Sequence, residues 1–369
     1  MNRAETVVIG GGPAGSAAAC GLAGLGRDVV LIERTAEPHH KVCGEFLSVE
    51  TQMQLRRLGV DPSALGAVPI EQAAVHSSSR SVTSALPFRA LSLSRYRLDA
   101  ALLRRAQDSG ARLNRNVTVK SVTPDGSGWN VSCDNGETVS CRNLVLATGK
   151  LGLRGVDDLR DGSLVGLKMH LRPSPEVRRA LEGRVELFFL DSSYVGLELI
   201  EDGIANLCLV LPRATMSRAG PGWQALHGHL ASALPALAER LEGAEPLWDK
   251  PKAVVCPTGG HLHRERKTAV YRVGDRLAHI PPFTGDGLAI ALASAALAVE
   301  HIQLGLSPDA YLAAARQLTA GPIRLASMIA RLARHRGGRD LMLGAAACAP
   351  SLIGTIIRRT RLTLAMDGL

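Results

Sequence analysis

The chain has 369 residues, of which 46% are hydrophobic, 21% are charged and 3% are aromatic, a composition typical of a globular protein whose core is built mainly from Leu, Val, Ala and Ile. The formal net charge is +9, but +7 of it lies in the segment that starts at Arg316, where nine arginines accompany only Asp340 and Asp367. Because the rest is nearly neutral and carries no zinc-finger, RNP-like or heptad-linked basic motif, the charge does not indicate nucleic-acid binding.

The seven cysteines are odd in number and include no Cys-x-x-Cys pair. This pattern predicts neither a disulfide framework nor a zinc site, and we expect no metal. Glycines interrupt the first apolar run, so the N-terminus lacks the apolar core of a secretory signal. We therefore expect a reduced, cytoplasmic environment.

The first predicted element is a buried parallel strand at Val7–Ile9, which leads into the turn GGGPAG at residues 10–15 and then into a helix. Gly10 permits a tight turn, Gly12 lets the backbone approach a pyrophosphate, and Gly15 lets the helix lie close to the sheet. The free N–H groups at the positive end of this helix would face the phosphates. The alternative is a glycine-rich turn that closes an ordinary βαβ unit.

A second strand is predicted at Asp28–Glu33. Glu33 stands where a dinucleotide ribose should be bound, on the order of 20 residues after the glycines, and its carboxylate can accept hydrogen bonds from ribose hydroxyls. The strand, turn, helix, strand and acid together predict a dinucleotide cofactor. The expected contacts in this unit are Gly10, Gly12, Pro13, Ala14, Gly15, Glu33 and Arg34.

The middle of the chain continues with a helix that starts near Arg95, a strand near residues 117–122 that includes Val119, and a hairpin at residues 129–139 with the turn DNGE. The apolar strand within SCRNLVLATGK, residues 140–150, ends at Ala147-Thr148-Gly149.

Residues 163–212 contain four strand-like runs, SLVGLKMHL, RVELFFL, SYVGLELIE and IANLCLVLP, separated by turn signals such as EDG. The pattern predicts an antiparallel meander that forms the wall of a substrate site. Lys168, His170, Phe188 and Tyr194 are candidates for this wall. Each could also be a structural or surface residue, because alternation does not indicate which face of a sheet meets a cofactor.

Further along, a strand precedes Gly274-Asp275, the turn PPFTGDG occupies residues 281–287, and an alanine-rich helix begins near Leu288. The C-terminal segment has an apolar run of 17 residues from Leu341 to Ile357, broken by Pro350 and followed by basic residues. A membrane span needs about 20 residues. We therefore expect either helices over the substrate pocket or an arm that rests on an anionic membrane surface.

The glycine turn, the Ala-Thr-Gly strand and the region from Gly274 to Gly287, in this order, resemble the FAD-binding motifs of glutathione-reductase-like flavoproteins, and more narrowly those of the geranylgeranyl reductase and aromatic hydroxylase group. The resemblance implies an α/β fold with a Rossmann-like FAD-binding domain, an antiparallel-sheet substrate domain and C-terminal helices. The implied division is residues 1–75, 92–160 and 265–305 for the FAD-binding domain, 76–91 and 161–264 for the substrate domain, and 306–369 for the helical region.

The resemblance also implies how noncovalent FAD would be held. Arg95 would help to hold the phosphates, Asp275 would bind a ribityl hydroxyl, and the helix after Gly287 would point its N-terminus at the flavin N1 and O2 edge, where reduced flavin is negative. A solvated basic helix start and an ordinary turn are the respective alternatives for Arg95 and for PPFTGDG. The other residues expected at FAD are Cys43, Gly44, Val119, Thr148, Gly149, Gly274, Pro282, Gly285 and Asp286.

In the geranylgeranyl reductase group a Cys-Gly pair follows the second strand and lies close to the flavin; here the pair is Cys43-Gly44, followed by Glu45. Cys43 could donate or relay a proton, or be a buried structural cysteine. Glu45 could act as an acid or base if an apolar pocket raises its pKa, or be an ordinary carboxylate at a helix start. Cys43, Glu45 and Tyr194 are the candidate catalytic residues.

The chain departs from these relatives at three motifs. Flavin hydroxylases carry Asp-Gly, tied to FAD and NADPH binding, where this chain reads TGKLGLRG. The three tryptophans are too far apart for the WxWxIP motif of flavin halogenases. Geranylgeranyl reductases carry an aromatic YxWxFP-like motif where this chain reads SSYVGLELI. The resemblance therefore implies the cofactor more firmly than the substrate.

We expect an FAD-dependent oxidoreductase that reduces a C=C bond, or catalyses the reverse dehydrogenation, on a hydrophobic polyketide, isoprenoid or lipid-like molecule through hydride transfer at flavin N5. NAD(P)H or an electron-donor protein would supply the electrons. One alternative is a flavin-dependent monooxygenase that hydroxylates an aromatic or polyketide substrate, since one fold serves both reactions. Another is a non-enzymatic flavin or lipid carrier at a membrane surface.

Overall fold

The computed structural model of the protein describes residues 2–126, 128–150, 153, 162–256, 261–262, 268–349 and 351–363. The strands are β1 (Asn2–Ile9), β2 (Val29–Glu33), β3 (Phe46–Leu47), β4 (Val68–His76), β5 (Ser81–Ser92), β6 (Arg112–Arg115), β7 (Val119–Asp125), β8 (Gly128–Cys133), β9 (Thr138–Leu146), β10 (Leu164–Arg172), β11 (Gly183–Leu190), β12 (Ser193–Leu199), β13 (Ala205–Pro212), β14 (Glu245–Pro246), β15 (Lys252–Cys256), β16 (His261–Leu262), β17 (Tyr271–Arg272) and β18 (Ala278–His279). The helices are α1 (Pro13–Gly24), α2 (Val49–Arg57), α3 (Arg95–Asp108), α4 (Pro175–Leu181), α5 (Arg213–Ala219), α6 (Gly222–Ala233), α7 (Pro235–Leu241), α8 (Gly287–Gln303), α9 (Pro308–Ala333), α10 (Arg336–Cys348) and α11 (Ser351–Thr360).

The first sheet has the strand order β6-β2-β1-β9-β8-β7, with β17 also paired to β9. β1 is parallel to β2 and to β9, and its apolar run is buried because helices α1, α3 and α8 cover one face of the sheet. The hairpin expected at residues 129–139 is confirmed by β8 and β9. The carboxyl ends of β1, β2 and β9 therefore meet at one edge, where ligands bind in open α/β sheets.

The second sheet has the order β14-β10-β13-β12-β11-β4-β5-β3, with β15 also paired to β10. The four predicted strands are present as β10 to β13, and β11, β12 and β13 form an antiparallel meander. The expectation of a simple four-strand meander is wrong for β10, which pairs with β13. Helix α4 lies between β10 and β11 in the chain, and this longer connection places them on opposite sides of the meander.

The two faces of the second sheet differ in chemistry. One face is apolar and packs against α4, α6 and α7, with Trp223 among the buried side chains. On the other face the strand register places His170 beside Asn206 and Asn206 beside Glu198. Lys168 and Tyr194 lie on this same polar face, whereas Phe188 lies on the opposite one. The structure thus resolves the ambiguity that alternation left open.

The C-terminal helices pack against the β4–β5 end of this sheet, where Val82 contacts Leu343 and Ala346. Among the described residues, no single helix is long and apolar enough to cross a membrane. Helices α10 and α11, bent by 116° at the break between them, reach that length and composition only as a pair. Pro350, the expected break, lies outside the described residues.

The α/β fold with an FAD-binding type of sheet, a second sheet and C-terminal helices is confirmed. Strand β4 differs from the expected division, because residues 68–75 pair with β5 and β11 in the second sheet. The remaining domain boundaries stay a prediction.

Candidate active site

Two glycines in the turn that follows β1 have no room for a side chain. Gly10 has φ 105°, donates its N–H to the Ile32 carbonyl at 2.8 Å, and a Cβ there would lie 2.5 Å from the Ala147 carbonyl oxygen. A Cβ on Gly15 would overlap the carbonyl oxygen of Gly10. These contacts are those that the sequence motif predicts for a turn pressed between β1, β9 and α1.

Glu33 lies over this turn at the end of β2 and is 6% exposed. Its Oε2 accepts the N–H of Gly11 at 2.6 Å, and its Oε1 accepts the N–H and hydroxyl of Thr35 at 3.0 and 2.7 Å. Burial acts to raise the pKa of Glu33, but these hydrogen bonds outweigh it and the pKa is lowered. An ionised carboxylate is therefore fixed where the sequence predicts a ribose contact, while the neighbouring Arg34 is exposed.

Arg95, the first residue of α3, lies beside the same turn. It pairs with Asp99 through two hydrogen bonds of 2.7 and 2.9 Å, and Lys41 adds a second cation 3.0 Å from Asp99. If Gly12 carried a Cβ, the only described atom within 4 Å of it would be Nη2 of Arg95, at 3.9 Å. The backbone at the start of α1 is thus open on the side of this guanidinium, which suits an anion.

The strand that ends in Ala147-Thr148-Gly149 lies opposite Gly274-Asp275. Thr148 and Gly149 are half-buried, and Lys150 lies 4.0 Å from the Asp275 carboxylate, which His279 approaches to 3.5 Å. Burial acts to raise the pKa of Asp275, but His279 and Lys150 outweigh it and the pKa is lowered. The sequence did not single out Lys150; most of the LGLRG segment after it lies outside the described residues.

The turn before α8 is close to β3. Gly285 has φ 73°, and a Cβ on it would lie 2.6 Å from Phe46 Cδ1. Pro282 and Gly287 are exposed, whereas Asp286, which precedes α8, is 1% exposed. The Asp286 carboxylate pairs with Arg361 from the C-terminal segment, a contact that the sequence did not predict.

Val119 is half-buried at the start of β7. Two residues earlier, the Val117 N–H donates to the Glu33 carbonyl at 3.2 Å. The start of β7 therefore lies beside the end of β2, and the role of Val119 stays a prediction.

A buried ionic network joins the two sheets at Glu45. Glu45 Oε1 accepts hydrogen bonds from Lys168 Nζ and, at 2.6 Å, from the Arg95 N–H. His170 Nε2 lies 3.0 Å from Oε2. Burial acts to raise the pKa of Glu45, but Lys168 and His170 outweigh it and the pKa is lowered. The raised pKa considered from the sequence is therefore wrong, because the pocket around Glu45 is cationic.

The backbone of Glu45 is also unusual. Its φ of 56° lies in the left-handed region, which costs a non-glycine residue about 1–3 kcal/mol and recurs at functional sites. The conformation lets the Glu45 N–H donate to Cys43 Sγ at 3.3 Å and the Glu45 carbonyl accept from the Leu93 N–H at 3.0 Å. Cys43, Gly44 and Glu45 are thus held in one tight bend.

Aromatic rings connect this network to the surface. His40 contacts His170 and Trp248, with ring centroids 4.8 and 5.0 Å apart, and stacks on the exposed Tyr96 at 5.2 Å. Burial lowers the pKa of His40 to about 4, so the ring is neutral at pH 7. Ligand atoms of His40, Glu45 and His170 lie within 4.8 Å of one another, but the Lys168 ammonium already occupies the carboxylate and would repel a metal ion.

A second buried acid lies on the same face. Burial raises the pKa of Glu198 to about 8, so Glu198 is protonated at pH 7 and adds no second anion beside Glu45. Asn206 donates to Glu198 at 2.6 Å and to the Cys43 carbonyl at 3.2 Å. Glu198 and Asn206 were not predicted from the sequence, although polar residues within otherwise apolar buried strands are a signal that identifies such positions.

The face of the second sheet that carries Lys168 and His170 also carries an apolar wall. Tyr194, Phe189 and Phe283 form a half-buried cluster with ring centroids 5.8 to 6.4 Å apart. Phe283 belongs to the turn before α8, so the wall joins the second sheet to the proposed flavin site. Burial raises the pKa of Tyr194 well above its ordinary value, which keeps the phenol neutral.

Residues 3–154 match a family model described as FAD binding domain. This chain carries an FAD-binding domain. A menaquinone reductase of Mycolicibacterium smegmatis is 36% identical over 162 residues, which cover 40% of this chain and 38% of that protein. The match therefore spans less than half of the relative's length.

Two solved structures share the fold over nearly the whole chain. A flavoprotein/dehydrogenase from Cytophaga hutchinsonii superposes with a TM-score of 0.80 at 16% identity, covering 97% of this chain and 93% of that one. The flavin-dependent brominase Bmp2 superposes with a TM-score of 0.79 at 19% identity, with the same coverage. At these identities the similarity shows the fold alone.

The FAD-binding domain fits its cofactor at the points that the structure describes. The start of α1 is open beside Arg95, the Glu33 carboxylate is ionised and fixed, and Asp275 is half-exposed. These groups would bind phosphates, a ribose and the ribityl chain respectively.

Replacing Gly15 with alanine tests the phosphate turn. We expect G15A to weaken FAD binding by about tenfold or more, since its Cβ pushes α1 away from Gly10. G24A in the same helix is the control, because a Cβ on Gly24 meets nothing within 4 Å. FAD fluorescence titration and thermal melts of both variants measure the effect. Equal FAD affinity of folded G15A and G24A would show that the turn does not bind the cofactor.

Proposed function

We propose that the protein is an FAD-dependent oxidoreductase that reduces a C=C bond of a hydrophobic small molecule, or catalyses the reverse dehydrogenation. The observation that carries this proposal is the buried Glu45–Lys168–His170 network, since Lys168 and His170 share one face of the second sheet with Tyr194, which packs against Phe283. The relative named menaquinone reductase supports a hydrophobic, prenylated substrate. We also propose that the protein resembles the geranylgeranyl reductase group in particular.

Reduction of a C=C bond needs a hydride at one carbon and a proton at the other. Bound FAD, reduced by NAD(P)H or an electron-donor protein, supplies the hydride from N5. The chain would supply the proton: Lys168 donates a hydrogen bond to Glu45, and His170 lies at hydrogen-bond distance from it. His40 packs its ring against those of His170, Trp248 and the exposed Tyr96, so it fixes the orientation of His170.

Glu45 orients this network. Because its folded-state pKa lies below the ordinary value of 4.5, the ion pairs stabilise the protein above about pH 4.5, and this stabilisation is lost as the pH falls through the folded pKa. Cys43 contacts Glu45 and Tyr194 lies on the same sheet face as Lys168; both would contact the flavin or the substrate. Their catalytic roles stay proposals.

Replacing Glu45 with glutamine tests the proton supply. We expect E45Q to lower the rate of substrate reduction by about 10²-fold and to change its pH profile, because Lys168 and His170 lose the anion that orients them. E37Q, at an exposed site in the same loop, is the control. Anaerobic rapid mixing of the reduced protein with substrate measures the rate, and flavin content and thermal melts show whether E45Q folds. A folded E45Q with wild-type rates across the pH range would exclude this role.

The substrate class is tested with two quinones. Photoreduced protein is mixed without oxygen with a menaquinone that carries a short prenyl chain, and with menadione, which lacks the chain. We expect oxidation of the flavin and a saturated prenyl double bond with the first only. Reduction of both quinone rings without saturation would contradict C=C reduction, and an oxygenated product that forms only in air would favour the monooxygenase.

We further propose that the C-terminal helices rest on an anionic membrane surface, from which a lipid-like substrate would enter. Each helix shows exposed apolar residues: Met328 and Leu332 on α9, Leu341 on α10, and Leu352 and Ile356 on α11, with exposures from 40% to 72%. Exposed arginines accompany them at positions 331, 334, 336, 358 and 359. Apolar side chains combined with arginines suit an interface with anionic lipid.

Vesicle sedimentation tests this surface. We expect binding to phosphatidylglycerol vesicles that weakens with salt and is about fivefold weaker in L341E, since Leu341 would leave the lipid. L304E is the control, because Leu304 is 63% exposed but precedes α9. Equal binding of both variants, or equal binding to phosphatidylcholine, would contradict the proposal.

A further inference from the structure

The residue that directly follows α11 has a buried, charged side chain. Arg361 follows α11 and is 8% exposed, although it carries a charge. Its Nη1 donates to Oδ1 of Asp286, 75 residues earlier in the chain. Asp286 is the residue that precedes α8 at the proposed flavin site.

The Arg361 guanidinium also contacts two aromatic rings. It lies 4.8 Å from the ring centre of Phe88 and 5.6 Å from that of Phe46. Phe46 directly follows Glu45, and its ring edge occupies the place that a Cβ on Gly285 would take. Arg361 therefore holds together three segments: the bend that carries Glu45, the turn before α8, and strand β5.

The charge of Asp286 depends on this contact. Its Oδ2 is buried and has no hydrogen-bond partner among the described residues. The charged groups that face it are Arg361 and, from α2, Glu50; burial raises its pKa to about 7 even though Arg361 lowers it. Without Arg361, an unpaired anion would lie at the start of α8, where reduced flavin gains negative charge.

We propose that Arg361 is a positioning residue that couples docking of the C-terminal segment to FAD binding, by neutralising Asp286 and fixing the turn at residues 282–287. The inference rests on the proposed placement of the flavin at the start of α8. In a protein without Arg361, Asp286 would be uncharged at low pH and a buried, unpaired anion at high pH. Because Arg361 lowers the pKa of Asp286, its removal would raise that pKa further, and the loss of FAD affinity would grow only as the pH rises above 7.

The test compares R361Q with R359Q, an exposed arginine on α11. We expect R361Q to bind FAD at least about tenfold more weakly than wild type at pH 8, with a smaller deficit at pH 5.5. We expect FAD to protect the C-terminal segment from trypsin in the wild type and in R359Q, but not in R361Q. The double variant R361Q/D286N removes both charges and should therefore lose the pH dependence of R361Q and bind FAD more tightly than R361Q at pH 8.

The outcomes separate the alternatives. If R361Q matches R359Q in FAD affinity and trypsin protection, or if R361Q/D286N is as impaired as R361Q at every pH, Arg361 has only a packing role and the inference is wrong. R361K, which keeps the charge, should bind FAD more tightly than R361Q. If R361Q does not fold, R361K is compared with R359Q: FAD should protect the C-terminal segment of both from trypsin, and no protection in R361K would contradict the inference. A wild-type protein that binds no FAD would instead overturn the placement of the flavin.

Discussion

A single buried carboxylate holds the two halves of the molecule in register. Glu45 lies in the loop between β2 and β3. Its carboxylate contacts Lys168 and His170 on β10 of the second sheet, and it accepts the N–H of Arg95, the first residue of α3. Breaking a buried ion pair by removing one partner typically costs about 3–5 kcal/mol, because the remaining charge is left uncompensated. The pairing therefore stabilises the contact between β10 and the start of α3, which lies beside the proposed flavin site.

Two buried acids, Glu45 and Glu198, lie on the polar side of the second sheet, and only Glu45 is ionised at pH 7. Glu198 is kept protonated by burial, and His40 is kept neutral. An anion beside cationic donors, on the sheet face that also carries Tyr194 and its partner Phe283, combines a proton source with an apolar surface. This combination suits reduction of a hydrophobic molecule better than chemistry on a charged one. Arg361 supplies the corresponding charge balance at the other end of the site.

Local patterns in the sequence predicted the parts of the site that depend on neighbours in the chain. Gly10, Gly15 and Glu33 lie within one βαβ unit, where spacing largely dictates geometry, and the structure places them together. Glu45, Lys168 and His170 were each candidates, but their pairing was not predictable. Glu45 is more than 120 residues away from Lys168 and His170 in the chain, and alternation alone does not say which face of β10 is buried against the first domain.

Two further contacts between distant segments could not be predicted from the sequence, for similar reasons. The position of β10 beside β13 follows from a connection through α4 that could have run to either side. Asp286 was expected only at the cofactor, and its partner Arg361 comes from a segment whose place on the surface no motif indicated. Both cases concern contacts between distant segments, which tertiary packing decides.

A crystal structure of the protein with FAD bound tests the arrangement most directly. We expect the isoalloxazine ring between Cys43-Gly44 and the start of α8, on the Tyr194 side of the second sheet, with the Glu45 carboxylate still bound by Lys168. A ring bound on the Phe188 side of that sheet, or a protein that takes up no flavin, would contradict the proposed site.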